Sequence, residues 1–228
     1  MTDFLYQCYS NSETPKNWVF FLHGYNNTNE EMSQIYFKLL NKIKNLGIIA
    51  PEGKYVSAKD NSRKSWYKIS GFDVDGKRLQ ESTSVEEIVS IYNKAGDVLA
   101  DTSDNLNSFL DNIQKQYNFT DSNTYIAGFS QGAMLAIWTA LSRKNKVKGC
   151  FSFSGLVAAN KYLDGKIRSY PEVYLLHGKK DKQVQFKCLN FSLKTLQEKQ
   201  IKATSLEFED LAHEISDEQI ECIAKIIK

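Results

Sequence analysis

The chain has 228 residues, 42% of them hydrophobic and 25% charged, with a formal net charge of +2. That is an ordinary globular composition, long enough to bury a proper core. No run of like charge is long enough for a nucleic-acid arm, and the apolar stretch Trp18 to Leu22 is far too short to span a bilayer. Cys8, Cys150, Cys188 and Cys222 are far apart and form no Cys-x-x-Cys pair. A disulfide framework or zinc site is not expected, and a reducing cytoplasm is the expected compartment. The start of the chain lacks the basic and apolar regions of a signal peptide.

In chain order, Phe4 to Tyr9 alternates loosely and reads as an antiparallel edge strand. Trp18 to Leu22 is continuously apolar and ends in His23-Gly24, the pattern of a strand buried on both faces. Glu30 to about Lys44 keeps helical spacing through Met32, Ile35, Tyr36, Leu39, Leu40 and Ile43. Gly47 to Ala50 is a short strand stopped by Pro51. Residues 52–82 are irregular and polar but contain Trp66, Tyr67 and Phe72. A loop of that length in a compact domain is usually functional. Ser84-Val85-Glu86-Glu87 resembles a capping box opening a helical region to about Tyr117, with a break near Gly96. Strands are then expected from Thr124 into Gly128-Phe129-Ser130-Gln131-Gly132, and at 147–155, 173–178 and 203–208, and helices at about 131–144, 188–199 and 217–227. The alternation predicts one domain over 1–228: a doubly wound, mostly parallel sheet with helices on both faces.

The stretch Thr124 to Phe129 runs into Ser130-Gln131-Gly132, completing Gly-x-Ser-x-Gly at a strand-to-helix junction. A serine at such a bend is strained, and its neighbours two before and two after must lack bulk. Gly128 and Gly132 meet that demand, and the following helix aims its free N–H groups at any anion beside Ser130. Ser154, before a glycine at another strand end, is the competing serine.

A serine hydroxyl needs an adjacent base, itself held by a carboxylate. Hydrolases with this elbow carry Ser, then Asp or Glu, then His in chain order. Of three histidines, His23 lies upstream and His177 sits on a strand end. His213, in the loop before the last helix, is the expected base. Asp181, shortly after strand 173–178, is the expected acid, against Asp164, Glu209 and Asp210. The amides of Gln131, after the nucleophile, and Tyr25, after the first buried strand, are the expected oxyanion donors. Trp66, Tyr67 and Phe72 are the candidate walls of an acyl pocket, with pinning of the long loop as the alternative. No two histidines have ligand spacing, so no metal is expected, and the scheme uses no cofactor.

Phe21-Leu22-His23-Gly24, Ala50-Pro51, Ser65-Trp66-Tyr67, Gly128-Phe129-Ser130-Gln131-Gly132, His177-Gly178-x-x-Asp181-x-x-Val184 and Ala212-His213-Glu214 together resemble the phospholipase/carboxylesterase family. The resemblance covers nearly the whole chain. It implies an α/β-hydrolase fold, the triad Ser130, Asp181 and His213, an oxyanion hole from the Tyr25 and Gln131 amides, a shallow site and frequently a homodimer. Substrates implied are small acyl esters or thioesters, with acylated proteins and lysophospholipids as rivals. Three departures stand out. The oxyanion loop reads His23-Gly24-Tyr25-Asn26-Asn27 where the family has His-Gly-Leu-Gly-Asp; Lys68 replaces an aspartate; and Ala212 precedes His213 in place of glycine. Asn26 tolerates positive φ, so the turn is expected to survive. The reading from another class is a catalytically silent hydrolase fold used for binding.

Overall fold

Alternating apolar runs and amphipathic segments build a sheet covered on both faces. The computed structural model describes residues 4–57 and 60–227. The edge strand β1 (Tyr6–Ser10) pairs antiparallel with β3 (Leu46–Pro51). Parallel to β3 run β2 (Asn17–Leu22), β6 (Thr124–Phe129), β7 (Gly149–Phe153), β8 (Val173–Gly178) and β9 (Ala203–Phe208), giving the order β1-β3-β2-β6-β7-β8-β9. The expected irregular stretch 52–82 holds two antiparallel strands of two residues each, β4 (Tyr55–Val56) and β5 (Lys64–Ser65), and two short 3₁₀ turns. Its residues 58–59 lie outside the described residues.

Two cores explain the continuous apolar strands. Trp18, Phe20 and Leu22 face one core, Val19 and Phe21 the other, as the two-residue period of a strand requires. The second core is closed by α1 (Asn29–Lys42) and α7 (Asp217–Ile226). The first is closed by α3 (Gly96–Tyr117), α4 (Gln131–Ser142) and α6 (Cys188–Glu198). Every residue of α4 is buried, so it is apolar all round rather than striped. The expected cap at Ser84 is a full capping box on α2 (Val85–Asn93). The helical region breaks at Lys94–Ala95, where the tight contact of Gly96 with the Tyr162 ring leaves no room for a side chain. All loops that carry predicted site residues leave the C-terminal ends of the parallel strands, where open α/β sheets assemble their sites.

Candidate active site

Ser130 alone makes the turn between β6 and α4, with φ 54° and ψ −116°, a region that residues with a Cβ rarely occupy. A β-carbon on Gly128 would fall 2.3 Å from the Gly132 carbonyl oxygen, and one on Gly132 would fall 2.2 Å from that of Leu22. Space at the bend therefore demands both glycines. The Ser130 N–H donates to the Phe153 carbonyl on β7 at 2.9 Å, tying the strained residue to the sheet.

His213 and Asp181 come from different loops, those after β9 and β8. The two loops are stitched together, the Lys180 N–H donating to the Leu211 carbonyl at 2.9 Å. Gly178 lets Leu211 pass so closely that a β-carbon there would lie 2.2 Å from the Leu211 oxygen. The Phe129 ring sits 4.8 Å from the His213 ring. The result is a chain of contacts: Asp181 Oδ2 is 2.8 Å from His213 Nδ1, and His213 Nε2 is 3.0 Å from Ser130 Oγ.

Burial alone would raise the Asp181 carboxyl, but hydrogen bonds and charge from His177 and His213 outweigh it and hold it well below the usual carboxylate range. Its Oδ1 also accepts from the Gln183 and Val184 N–H groups at 2.9 and 3.0 Å. An ionised carboxylate only accepts, so His213 carries its proton on Nδ1 and leaves Nε2 to accept from the Ser130 hydroxyl. His177 is buried, with Nε2 2.7 Å from the Val184 carbonyl and 3.3 Å from Asp181 Oδ2. The carbonyl is the nearer acceptor, so His177 chiefly braces the Asp181 loop. The rival carboxylates are engaged elsewhere: Asp210 with Lys180, Glu209 with Lys179 and Asp164 with Lys199. Ser154 also has positive φ but is buried, and its hydroxyl has no partner among the described residues.

The Tyr25 and Gln131 N–H groups have no hydrogen-bond partner among the described residues. Gly24 places the first of these loops against the elbow, its would-be β-carbon lying 3.0 Å from the Phe129 ring and 3.6 Å from Ser130 Cβ. His23 sets the loop's orientation, a role invisible in the sequence. Its Nε2 accepts from the Gly53 N–H at 2.9 Å, which leaves Nδ1–H to donate to the Gly24 carbonyl at 2.7 Å. In a trans peptide the Gly24 C=O and Tyr25 N–H point in opposite directions, so fixing one aims the other. Burial lowers the His23 imidazole to about 4 and keeps it neutral. Asn26 adopts φ 53°, and its N–H donates to Ser65 Oγ at 3.0 Å.

Trp66, Tyr67 and Phe72, the expected pocket walls, do not line the cavity beside Ser130. Trp66 is 1% exposed, and its indole N–H donates to the His23 carbonyl at 2.8 Å. The Gln131 side chain clamps the segment, accepting from the Trp66 N–H at 2.9 Å and donating to the Tyr67 carbonyl at 2.8 Å. Tyr67 is fully buried, its hydroxyl 3.6 Å from Met134 Sδ, and Phe72 packs on Tyr67. The aromatic segment thus braces the loop that carries Tyr25 from behind. Lys68 is exposed, 6.0 Å from the Tyr55 ring, and does not reach the site. The cavity itself, of about 160 Å³, has Ile69, Met134 and Val184 as apolar walls and Arg78, Tyr92 and Gln183 as polar ones.

Residues 6–228 match the model of the phospholipase/carboxylesterase family. The chain belongs to that family. Among curated proteins, acyl-protein thioesterase 1 homolog 1 of Dictyostelium discoideum is 31% identical over 104 residues. That match spans 45% of this chain and 46% of the relative, about half the length of each. Three solved structures share the fold at low identity. Esterase PE8 superposes with TM-score 0.80 at 22% identity, covering 99% of this chain and 98% of that one. Zea mays acyl-protein thioesterase 2 gives 0.71 at 17%, covering 99% and 98%. The Bacillus cereus carboxylesterase gives 0.69 at 16%, covering 98% and 93%. As a member of the phospholipase/carboxylesterase family the chain has the α/β-hydrolase fold. Among the described residues no cluster of three His, Cys, Asp or Glu side chains is arranged to hold a metal ion, and no helix is long and apolar enough to cross a membrane.

Proposed function

We propose that the chain is a serine carboxylesterase that hydrolyses small to medium acyl esters or thioesters through an acyl-enzyme on Ser130. The observation that carries this reading is the unbroken run of contacts from Asp181 through His213 to Ser130, at 2.8 and 3.0 Å, beside two free backbone N–H groups. Ser130 Oγ attacks the substrate carbonyl as His213 Nε2 takes its proton. Asp181, held ionised, stabilises the imidazolium and keeps its tautomer. The oxyanion accepts from the Tyr25 and Gln131 N–H groups, reinforced by the positive end of α4. Collapse expels the alcohol or thiol, protonated by His213. Water, deprotonated by the same nitrogen, then attacks the acyl-enzyme and frees Ser130 and the acid.

The small cavity favours short acyl groups over the long chains of lysophospholipids and acylated proteins, since pockets for larger ligands span roughly 300–1,000 Å³. A silent binding protein would have no use for a strained serine, an aligned base and a buried carboxylate together. Two measurements test the proposal. A fluorophosphonate probe followed by tryptic mass spectrometry should place the adduct on Ser130, with Ser130→Ala abolishing labelling and turnover; an adduct on Ser154 refutes the assignment. Comparison of kcat/KM on an aryl ester series, an acyl thioester and a lysophospholipid should peak at short acyl chains. A maximum on the lysophospholipid replaces the carboxylesterase reading.

A further inference from the structure

Arg78 stands on the wall of the same cavity as Ser130 and His213. A guanidinium there is unexpected for a site that takes only neutral acyl chains, because placing a cation against apolar walls requires compensation. The compensation is built in. Asp73, its side chain 2% exposed, lies with Oδ2 3.3 Å from Arg78 Nε, while Oδ1 faces the Arg78 backbone N–H at 3.4 Å. The Nε–Oδ2 approach is a charge contact rather than an aligned hydrogen bond, since both atoms are buried without a hydrogen-bond partner. Asp73 therefore holds one edge of the guanidinium. The terminal Nη groups have no partner among the described residues.

The segment that presents Arg78 is rigidly placed. Gln185 Nε2 donates to the carbonyls of Arg78 and Gln80 at 2.7 and 2.9 Å. Lys187 Nζ donates to those of Glu81 and Thr83 at 3.0 and 2.5 Å. These bonds fasten the Arg78 segment to the loop that also carries Asp181. Tyr92 lines the same cavity, and its hydroxyl has no hydrogen-bond partner among the described residues; burial pushes the phenol up to about 12, so it remains a neutral donor. Arg78, Tyr92 and Gln183 thus border the same cavity as Ser130. That donor set suits a planar carboxylate, which a guanidinium binds in a forked geometry.

We propose that Arg78 is a specificity-determining residue and that the preferred substrates are esters bearing a carboxylate near the scissile bond. The inference rests on the esterase reading above and names its substrate class. The carboxylate can belong to the acyl group or to the leaving group, and both recognise Arg78 through the same chemistry.

The test compares matched substrates differing only in charge. On the acyl side these are the p-nitrophenyl esters of glutaric acid and of its monomethyl ester. On the leaving-group side they are the butyrate esters of 4-hydroxybenzoate and of methyl 4-hydroxybenzoate. In at least one arm the wild-type kcat/KM ratio, charged over neutral, should be about 10 or more at low ionic strength and should fall as salt screens the contact. Arg78→Met should lower that ratio by about tenfold, and Arg78→Lys, which keeps the charge and loses the fork, should lie between. The arm that responds assigns the carboxylate to the acyl or the leaving group. Wild-type ratios at or below one in both arms overturn the proposal, even where Arg78→Met fails to fold. So does a ratio that survives Arg78→Met in a folded protein. Fluorophosphonate labelling of Ser130 in the same preparations separates the two failures. Labelling without charge preference refutes the carboxylate specificity alone, whereas absent labelling refutes the esterase reading.

Discussion

The elbow at 128–132 and the aromatic segment at 65–72 both lie beside Ser130, yet they are held by different physics. The elbow is a local object. A serine at φ 54° between a strand and a helix can exist only where two flanking residues lack side chains, and those residues are two positions away. The aromatic segment has no such local logic. Trp66 and Tyr67 are fixed by Gln131, His23 and Met134, partners 43 to 67 residues distant in the chain. One side chain joins the two regions: Gln131, whose amide faces the site while its carboxamide grips the loop behind it. The lesson is that aromatic density near a site signals a wall or a brace equally well, and only the hydrogen bonds distinguish them.

The comparison is tested most severely by Asp181→Asn. Loss of the charge and of the correct imidazole tautomer should lower kcat by about 10³–10⁴ while the melting temperature shows the fold retained. If Asp181→Asn is nearly silent and Asp210→Asn is crippling, the contacts from Asp181 to Ser130 do not carry the reaction.

Trp66→Ala should rank next. Removing a fully buried indole should cost about 3–5 kcal/mol of unfolding free energy, read from denaturant midpoints. It should also lower kcat/KM for all chain lengths, because the His23 carbonyl loses its donor and the loop proposed to supply the Tyr25 N–H loosens. Full activity in a destabilised but folded variant would make the segment a support for the core alone.

Acid should loosen the same loop through His23. Its folded value, about 4, lies below the unfolded value, so the unfolded state binds more protons between the two. The neutral ring's contribution is complete above about pH 6.5 and is lost as pH falls toward 4, amounting to about 3 kcal/mol at most. Asp181, lowered in the fold, adds a further loss only at still more acidic pH, through the ordinary carboxylate range and below. Denaturant midpoints at pH 7 and pH 5 should therefore differ in the wild type and differ less in His23→Gln. Equal pH dependence in both would remove His23 as the source.

The smallest effect expected is on chain-length preference. Because Trp66 is absent from the cavity wall, the ratio of octanoyl to acetyl kcat/KM in Trp66→Ala should stay within about twofold of the wild type. A selective loss on octanoyl esters would return Trp66 to the acyl pocket.

Sequence alone determined what rests on short-range sterics and on the two periodicities of the backbone. The alternation of buried strands and amphipathic helices, the capping box at Ser84, the elbow at Ser130 and the turn at Asn26 all depend on residues within a few positions of one another. Chain order and the scarcity of histidines added Asp181 and His213 as candidates, and the structure brings both to Ser130. What the tertiary structure decided depends on contacts between distant segments. The His23 ring is tied at Nε2 to the Gly53 N–H, 30 residues on, and so links the Gly24 carbonyl to a distant segment. His177 braces the Asp181 loop through a carbonyl that no periodicity reveals. Arg78 sits in an irregular polar loop in which nothing local singles it out, and Gln185, 107 residues away, fastens its segment beside Ser130. Side-chain pattern specifies which face of an element is buried, but not which distant loop the fold places against it.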